Sequence, residues 1–182
     1  MEMIVRKPHS KSKVIPPPLT PGLERVDKMI ILGVLVSNML TVSCHVERCV
    51  VRASQSMYAL QLLRSHGLCG KPLYEVTRAT LVAQMVYASP SWSGLMDAEG
   101  SAQFQGVLKK AIRWGLLKRE FPSFKELCDK TDQQLFSTIQ DNENHVLHCL
   151  LPKKFSGHNL RQRSHNFIIP RYNNTLLRKN IY

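Results

Sequence analysis

Between residues 46 and 116 apolar side chains recur at helical spacing, and that rhythm leaves few folds open to the chain. Val46, Val50, Ala53, Met57 and Leu60 stand at i, i+4, i+7, i+11 and i+14, one face of a helix. Gly67 ends it, with His66 in the last turn, where a basic group complements the terminal carbonyls. Pro72 suits the first turn of a second helix. That helix carries Leu73, Val76, Thr80, Val82, Ala83, Val86 and Tyr87 until Ser89-Pro90 stops it. A third begins near Asp97, with Phe104, Val107, Leu108, Ala111, Ile112 and Leu116 as its stripe. Ser123 and Glu126 have the spacing of a capping box for a fourth, which carries Leu127, Leu135, Phe136 and Ile139. A short segment follows, Asn144 to Leu151, ended by Pro152.

Upstream of Ser37-Asn38 the period is two. Met3-Ile4-Val5 reads as a short strand and Lys28 to Val36 as a second. Pro16-Pro17-Pro18 and the Pro21-Gly22 turn between them favour an extended loop. Two strands across so long a loop make an irregular hairpin, barely stable unless it packs on something. The run Met29 to Val36 is too short to span a bilayer. The expected class is α+β, mostly α: a short antiparallel strand pair, a bundle of three to four helices, and a basic, poorly ordered C-terminal tail. The expected boundaries are 1–38, 39–150 and 151–182.

Charge is distributed unevenly. The formal net charge is +12, of which residues 1–22 carry +3 and residues 151–182 carry +7, leaving +2 on the helical body. Basic arms on a near-neutral body suit a phosphate backbone or an anionic membrane surface; they also simply aid solubility. The five cysteines are an odd number without regular spacing, and the N-terminus has no secretory signal. An intracellular, reduced location, nuclear or cytoplasmic, is the expectation, with no membrane partner.

Two clusters invite a metal reading: Cys44-His45 with Cys49, and His145 with His148-Cys149. Neither has the paired short cysteine spacings of a zinc knuckle or ribbon, so no metal is expected. The acids Asp97, Glu99, Asp129, Asp132, Asp141 and Glu143 fall at helix starts and turns, where they complement the helix dipole. Two-metal chemistry would need carboxylates converging on shared ions. No nucleophile elbow or phosphate-binding loop occurs.

A set of landmarks adds a more specific reading. The chain runs Ile31-Leu32-Gly33-Val34, then Met57-Tyr58-Ala59-Leu60-Gln61-Leu62-Leu63-Arg64, Gly67-Leu68, and Tyr87-Ala88-Ser89-Pro90-Ser91-Trp92. In order and spacing this resembles the segment after the catalytic palm in reverse transcriptases of non-LTR retrotransposons, of the jockey-like and chicken-repeat-like kind. Weaker similarity continues through Lys109-Lys110-Ala111, His145 to Pro152, Asn159-Leu160-Arg161 and Ser164 to Arg171.

The resemblance implies a palm-edge strand region followed by a thumb that tracks the template–primer duplex. It places Leu32, Gly33 and Val34 at the primer strand, where a glycine lets backbone approach closely. Taken alone, those three residues equally describe a buried strand with a bulge. Arg48, Arg52, Arg64, Lys109, Lys110 and Arg113 would neutralise phosphates without reading sequence, unless they are a solvated helix face whose stems shield apolar surface. Tyr74, Tyr87, Trp92 and Trp114 could stack on bases, or pack in the core.

The parent activity implied is RNA-directed DNA polymerisation, on paired aspartates that would lie ahead of Met1. No Asp-Asp pair occurs in the chain. The expectation is therefore a transposable-element polymerase fragment without its active site and without a cofactor, magnesium belonging to the missing palm. Its residual role would be sequence-independent binding of template–primer nucleic acid. The alternative is a helical interaction module, self-associating through exposed faces, or an inert relic with no ligand. Departures from the family point to decay: Gly100 and Gly106 inside the third helix each cost about 1 kcal/mol relative to alanine. The stretch Val42-Ser43-Cys44 also lacks an expected bulky aromatic.

Overall fold

The computed structural model describes residues 1–5 and 15–151, and in it the apolar run 28–36 turns back on itself. β1 (Lys28–Ile31) and β2 (Val34–Ser37) form a two-stranded antiparallel hairpin, with Ile31 opposite Val34 and Lys28 opposite Ser37. Leu32 and Gly33 alone connect them, with φ of 47° and 89°. Positive φ at both central residues is the type I′ geometry, whose twist matches that of the flanking strands. The single strand predicted over 28–36 is thus corrected to a hairpin. Leucine in the first turn position concealed it, because Asn, Asp or Gly normally marks that site.

Met3-Ile4-Val5 is not the partner strand; among the described residues the N-terminus contributes an isolated parallel bridge, Glu2 to Arg25. Arg25 holds the proline-rich connection instead. Its Nε donates to Glu2 Oε1 at 2.8 Å and its Nη2 to the Pro17 carbonyl at 2.9 Å. The Thr20 hydroxyl donates to the other Glu2 oxygen at 2.8 Å. Those two partners hold the Glu2 carboxyl below its ordinary pKa.

The helices follow. α1 (Ser43–Ser65) buries His45, Val46, Cys49, Ala53, Met57 and Leu60, close to the predicted face, with Val50 half-buried beside it. α2 (Gly70–Thr77), a π-helical turn (Arg78–Val82) and α3 (Ala83–Val86) form one continuous run. Its buried residues are Leu73, Thr77, Leu81, Val82 and Met85, whereas Thr80 and Tyr87 are exposed, which corrects the predicted face. Leu73, Thr77, Leu81 and Met85 are four apart. In a pure α-helix that spacing drifts by about 40° per step. The wider π turn takes up the drift and keeps all four on the core. The Thr77 hydroxyl donates to the Leu73 carbonyl at 2.8 Å, so its burial leaves no polar atom unpaired.

Tyr87 leaves the helix and Ala88 adopts a left-handed φ of 52°, which redirects the chain into α4 (Ser89–Trp92). α5 (Ala98–Arg113) starts at an Asp97 cap whose Oδ1 accepts from the Gly100 N–H at 2.8 Å. A Cβ on Gly100 would sit 2.9 Å from Met96 Cγ. That glycine suits the packing of Met96 against the first turn; Gly106 has no neighbour within 4 Å. α6 (Phe124–Asp141) opens on the predicted capping box, the Ser123 N–H donating to Glu126 Oε2 at 2.7 Å. That contact lowers the Glu126 pKa.

The core centres on Trp92, 1% exposed, with Phe104 and Phe124 at centroid distances of 5.7 and 6.4 Å and His45 edge-on at 5.0 Å. The indole N–H donates to the Tyr87 carbonyl at 2.9 Å, so the polar edge of the ring is satisfied. The fold is α+β and mostly α. The chain divides into two compact units, Met1–Asp129 and Lys130–Tyr182, and the hairpin and α1–α5 lie in the first. In the second, His148, in a 3-10 turn (His148–Leu150), places Nδ1 2.7 Å from the Ile139 carbonyl. The predicted basic tail, with Asn159–Arg161 and Ser164–Arg171, lies outside the described residues.

Candidate nucleic-acid interface

Leu32 and Gly33 form the tip of the hairpin, and Val34 behind them is 6% exposed. Val34 therefore anchors the tip in the core and offers no surface to a ligand. The exposed Leu32 side chain does. The Tyr87 hydroxyl donates to the Leu32 carbonyl at 3.3 Å, and its ring lies over Gly33, where a Cβ would come within 3.3 Å of Tyr87 Cε1. Glycine is thus required twice at residue 33, for its φ and for the ring above it.

Arg48 and Arg52 stand one turn apart on α1, away from the buried face. Among the described residues neither they nor Lys109 and Arg113 form an ion pair. Arg64 is committed differently: its Nη1 donates to the Trp114 carbonyl at the end of α5. Lys110 lies with Nζ 4.5 Å above the Trp114 ring. The structure so gathers Arg64, Lys110 and Arg113 where α1 and α5 end. From Arg52 to Arg64 is about 18 Å of helix, which sets the other pair apart. At their opposite ends α1 and α5 border a cavity of about 120 Å³ lined by Ser43, Glu47, Asp97 and Glu99. The two helices therefore run side by side in the same direction, and both carry cations in the last turn, Arg64 on α1 and Lys110 and Arg113 on α5, as their dipoles favour.

Sequence reasoning missed Arg78 and Lys118, which lie 5.8 and 5.2 Å from the Tyr74 ring centroid. For Arg78 the signal available was an aromatic and a cation four apart on a helix, present twice, as Tyr74/Arg78 and Lys110/Trp114; Lys118 carried none. Tyr74 and Trp114 are half-buried and Trp92 is core. Within residues 23–150 the net charge of +2 conceals a polarity. Segments 64–78 and 109–120 hold eight Lys and Arg against two acids, and the remainder holds six against ten.

His45 and Cys49 form a buried pair of the types that nucleophilic catalysis uses. The Leu35 N–H donates to His45 Nδ1 at 3.3 Å, which leaves the ring proton on Nε2, 3.5 Å from Cys49 Sγ. Burial, reinforced by Arg48 and Arg52, lowers the His45 pKa. Burial also pushes the Cys49 thiol up, which opposes the thiolate a nucleophile needs. Among the described residues no three of His, Cys, Asp or Glu converge as metal ligands. Likewise, no described helix is long and apolar enough to cross a membrane.

No protein-family model, no curated protein and no solved structure matches the chain.

Proposed function

We propose that the chain is the palm-edge and thumb portion of a retrotransposon-type reverse transcriptase, and that it binds template–primer nucleic acid independently of sequence. The observation that carries this reading is the meeting of Tyr87 with Leu32 and Gly33. Two landmarks of the resemblance, far apart in the chain, meet in this contact. Arg48, Arg52, Lys109 and Arg113, without an ion pair among the described residues, supply phosphate-neutralising charge on helix surfaces without base-reading geometry. With no Asp-Asp pair in its sequence, the chain positions nucleic acid and does not extend it.

The test is fluorescence anisotropy with three RNA–DNA hybrids of equal length and unrelated sequence. Affinities equal within a few-fold, falling steeply with salt, are expected. A marked preference for one sequence, or salt-independent binding, overturns the reading. Primer extension by the purified chain would overturn the assignment of a non-catalytic role.

One observation favours a second reading, a self-associating module. Val51, Tyr58 and Leu62 form an apolar line on α1 opposite its buried face and are 56%, 71% and 51% exposed. Light scattering that reports a monomer at every concentration removes this reading.

A further inference from the structure

We propose that the end of the helical body where α1 and α5 finish is a site for a short single-stranded nucleic-acid segment. Tyr74 and Trp114 would take the bases, and Lys110, Lys118 and Arg78 the phosphates. The inference rests on the nucleic-acid reading above and deepens it, since the groups gathered here differ in kind from those on the outer faces of α1 and α5.

Four features place it. First, the charge of the body is concentrated here, in segments 64–78 and 109–120, whose net charge is +6. Second, each aromatic ring is half-buried against the core and carries a cation: Lys110 Nζ lies 4.5 Å from the Trp114 centroid and Lys118 Nζ 5.2 Å from that of Tyr74. A lysine over a half-exposed ring is held by a flexible stem, which can give up the ring and follow a phosphate. Third, the two rings belong to one surface. Lys118, which touches Tyr74, follows Trp114 by four residues, a span of at most about 14 Å. Fourth, the surface is held in place. Arg64 ties the end of α1 to the Trp114 carbonyl, and Phe121 packs edge-on to Tyr74 at 6.5 Å.

Dipole complementarity explains Lys110 and Arg113, in the last turn of α5. It does not explain Arg78, which is inside a continuous helical run, or Lys118, which is in the following loop. Cations interleaved with aromatic rings are the arrangement that recognises single strands, by stacking and charge together. A duplex hides its base faces and gains nothing from the rings.

The full chain is titrated with a twelve-nucleotide oligothymidylate, by anisotropy of the labelled oligonucleotide and by the protein's own tryptophan emission. Trp92 is buried, so quenching reports Trp114. Saturable binding with quenching that disappears in Trp114→Phe is expected. The exposed-residue variant Arg78→Gln/Lys118→Gln should bind the oligonucleotide about ten-fold more weakly, with a salt slope shallower by about 1.4. Its affinity for duplex should be unchanged. Oligonucleotide binding with unaltered tryptophan emission, or with full affinity in the double variant, overturns the proposal. So does duplex binding without oligonucleotide binding, which leaves the general reading standing. Failure to bind any nucleic acid overturns both.

Discussion

The Tyr87 hydroxyl donates to the carbonyl of Leu32 across 55 residues of chain, and the same ring closes over Gly33. The contact joins the tip of the hairpin to the point where the second helical run ends. Its geometry makes residue 33 intolerant of any side chain. Gly33→Ala should lower stability by about 1–2 kcal/mol, from the left-handed φ alone, with more if the Tyr87 ring is displaced. Urea denaturation checks it; an unchanged midpoint would mean that the turn is not type I′.

Leu32 makes the opposite prediction. Its φ of 47° is strained for leucine, and Asn-Gly is the preferred pair for this turn. Leu32→Asn should raise stability by about 0.5–1 kcal/mol. A loss measured by the same denaturation would show that the exposed leucine makes a contact worth more than its backbone strain.

His45 predicts a pH dependence. Its folded pKa lies below the ordinary 6.5, because burial and the neighbouring Arg48 and Arg52 disfavour the charged ring. The unfolded chain therefore binds the proton more readily. The stabilisation is complete above pH 6.5 and is lost as the pH falls from there through the lowered folded value. Protonation would also place a second donor on Nδ1 against the Leu35 N–H. The denaturation midpoint should fall between pH 7 and 5, and His45→Gln should flatten that fall. An equal slope in the variant would assign the effect elsewhere.

The cysteines should separate by reactivity. Cys69 and Cys149 are exposed, Cys44 is intermediate, and Cys49 and Cys128 are buried. A thiol-specific chromogenic reagent should modify Cys69 and Cys149 in the native protein and reach Cys49 and Cys128 only on unfolding. Burial raises the Cys49 pKa and so slows it further. Modification of all five at one rate would contradict the burial of α1.

What the sequence revealed and what it hid follow physical lines. The face of α1 and the Ser123–Glu126 box were legible because periodicity and capping are local and chemically specific. The hairpin was not, since Leu32 does not advertise a left-handed φ. The face of α2–α3 was misread because a π turn changes the period partway through a helix. In the candidate interface Arg52, Lys109 and Arg113 are exposed and Arg48 half-buried, off the buried faces as helical phase foretold. Arg64 could not be placed that way: its partner is a backbone carbonyl 50 residues on, a relationship that no spacing encodes. Tyr74 with Lys118 is hidden for the same reason.

Under the proposed function the helical body, not only the basic residues of 151–182, holds nucleic acid. The direct test is a salt titration of RNA–DNA hybrid binding by anisotropy on three proteins. They are the natural chain, the variant Arg48→Gln/Arg52→Gln/Lys109→Gln, and one with the seven Lys and Arg of residues 151–182 changed to glutamine. The account predicts that the body variant binds more weakly and loses up to about 2.7 from the log–log salt slope, while the tail variant still binds. If the body variant keeps the full slope and the tail variant loses all binding, the claim is contradicted.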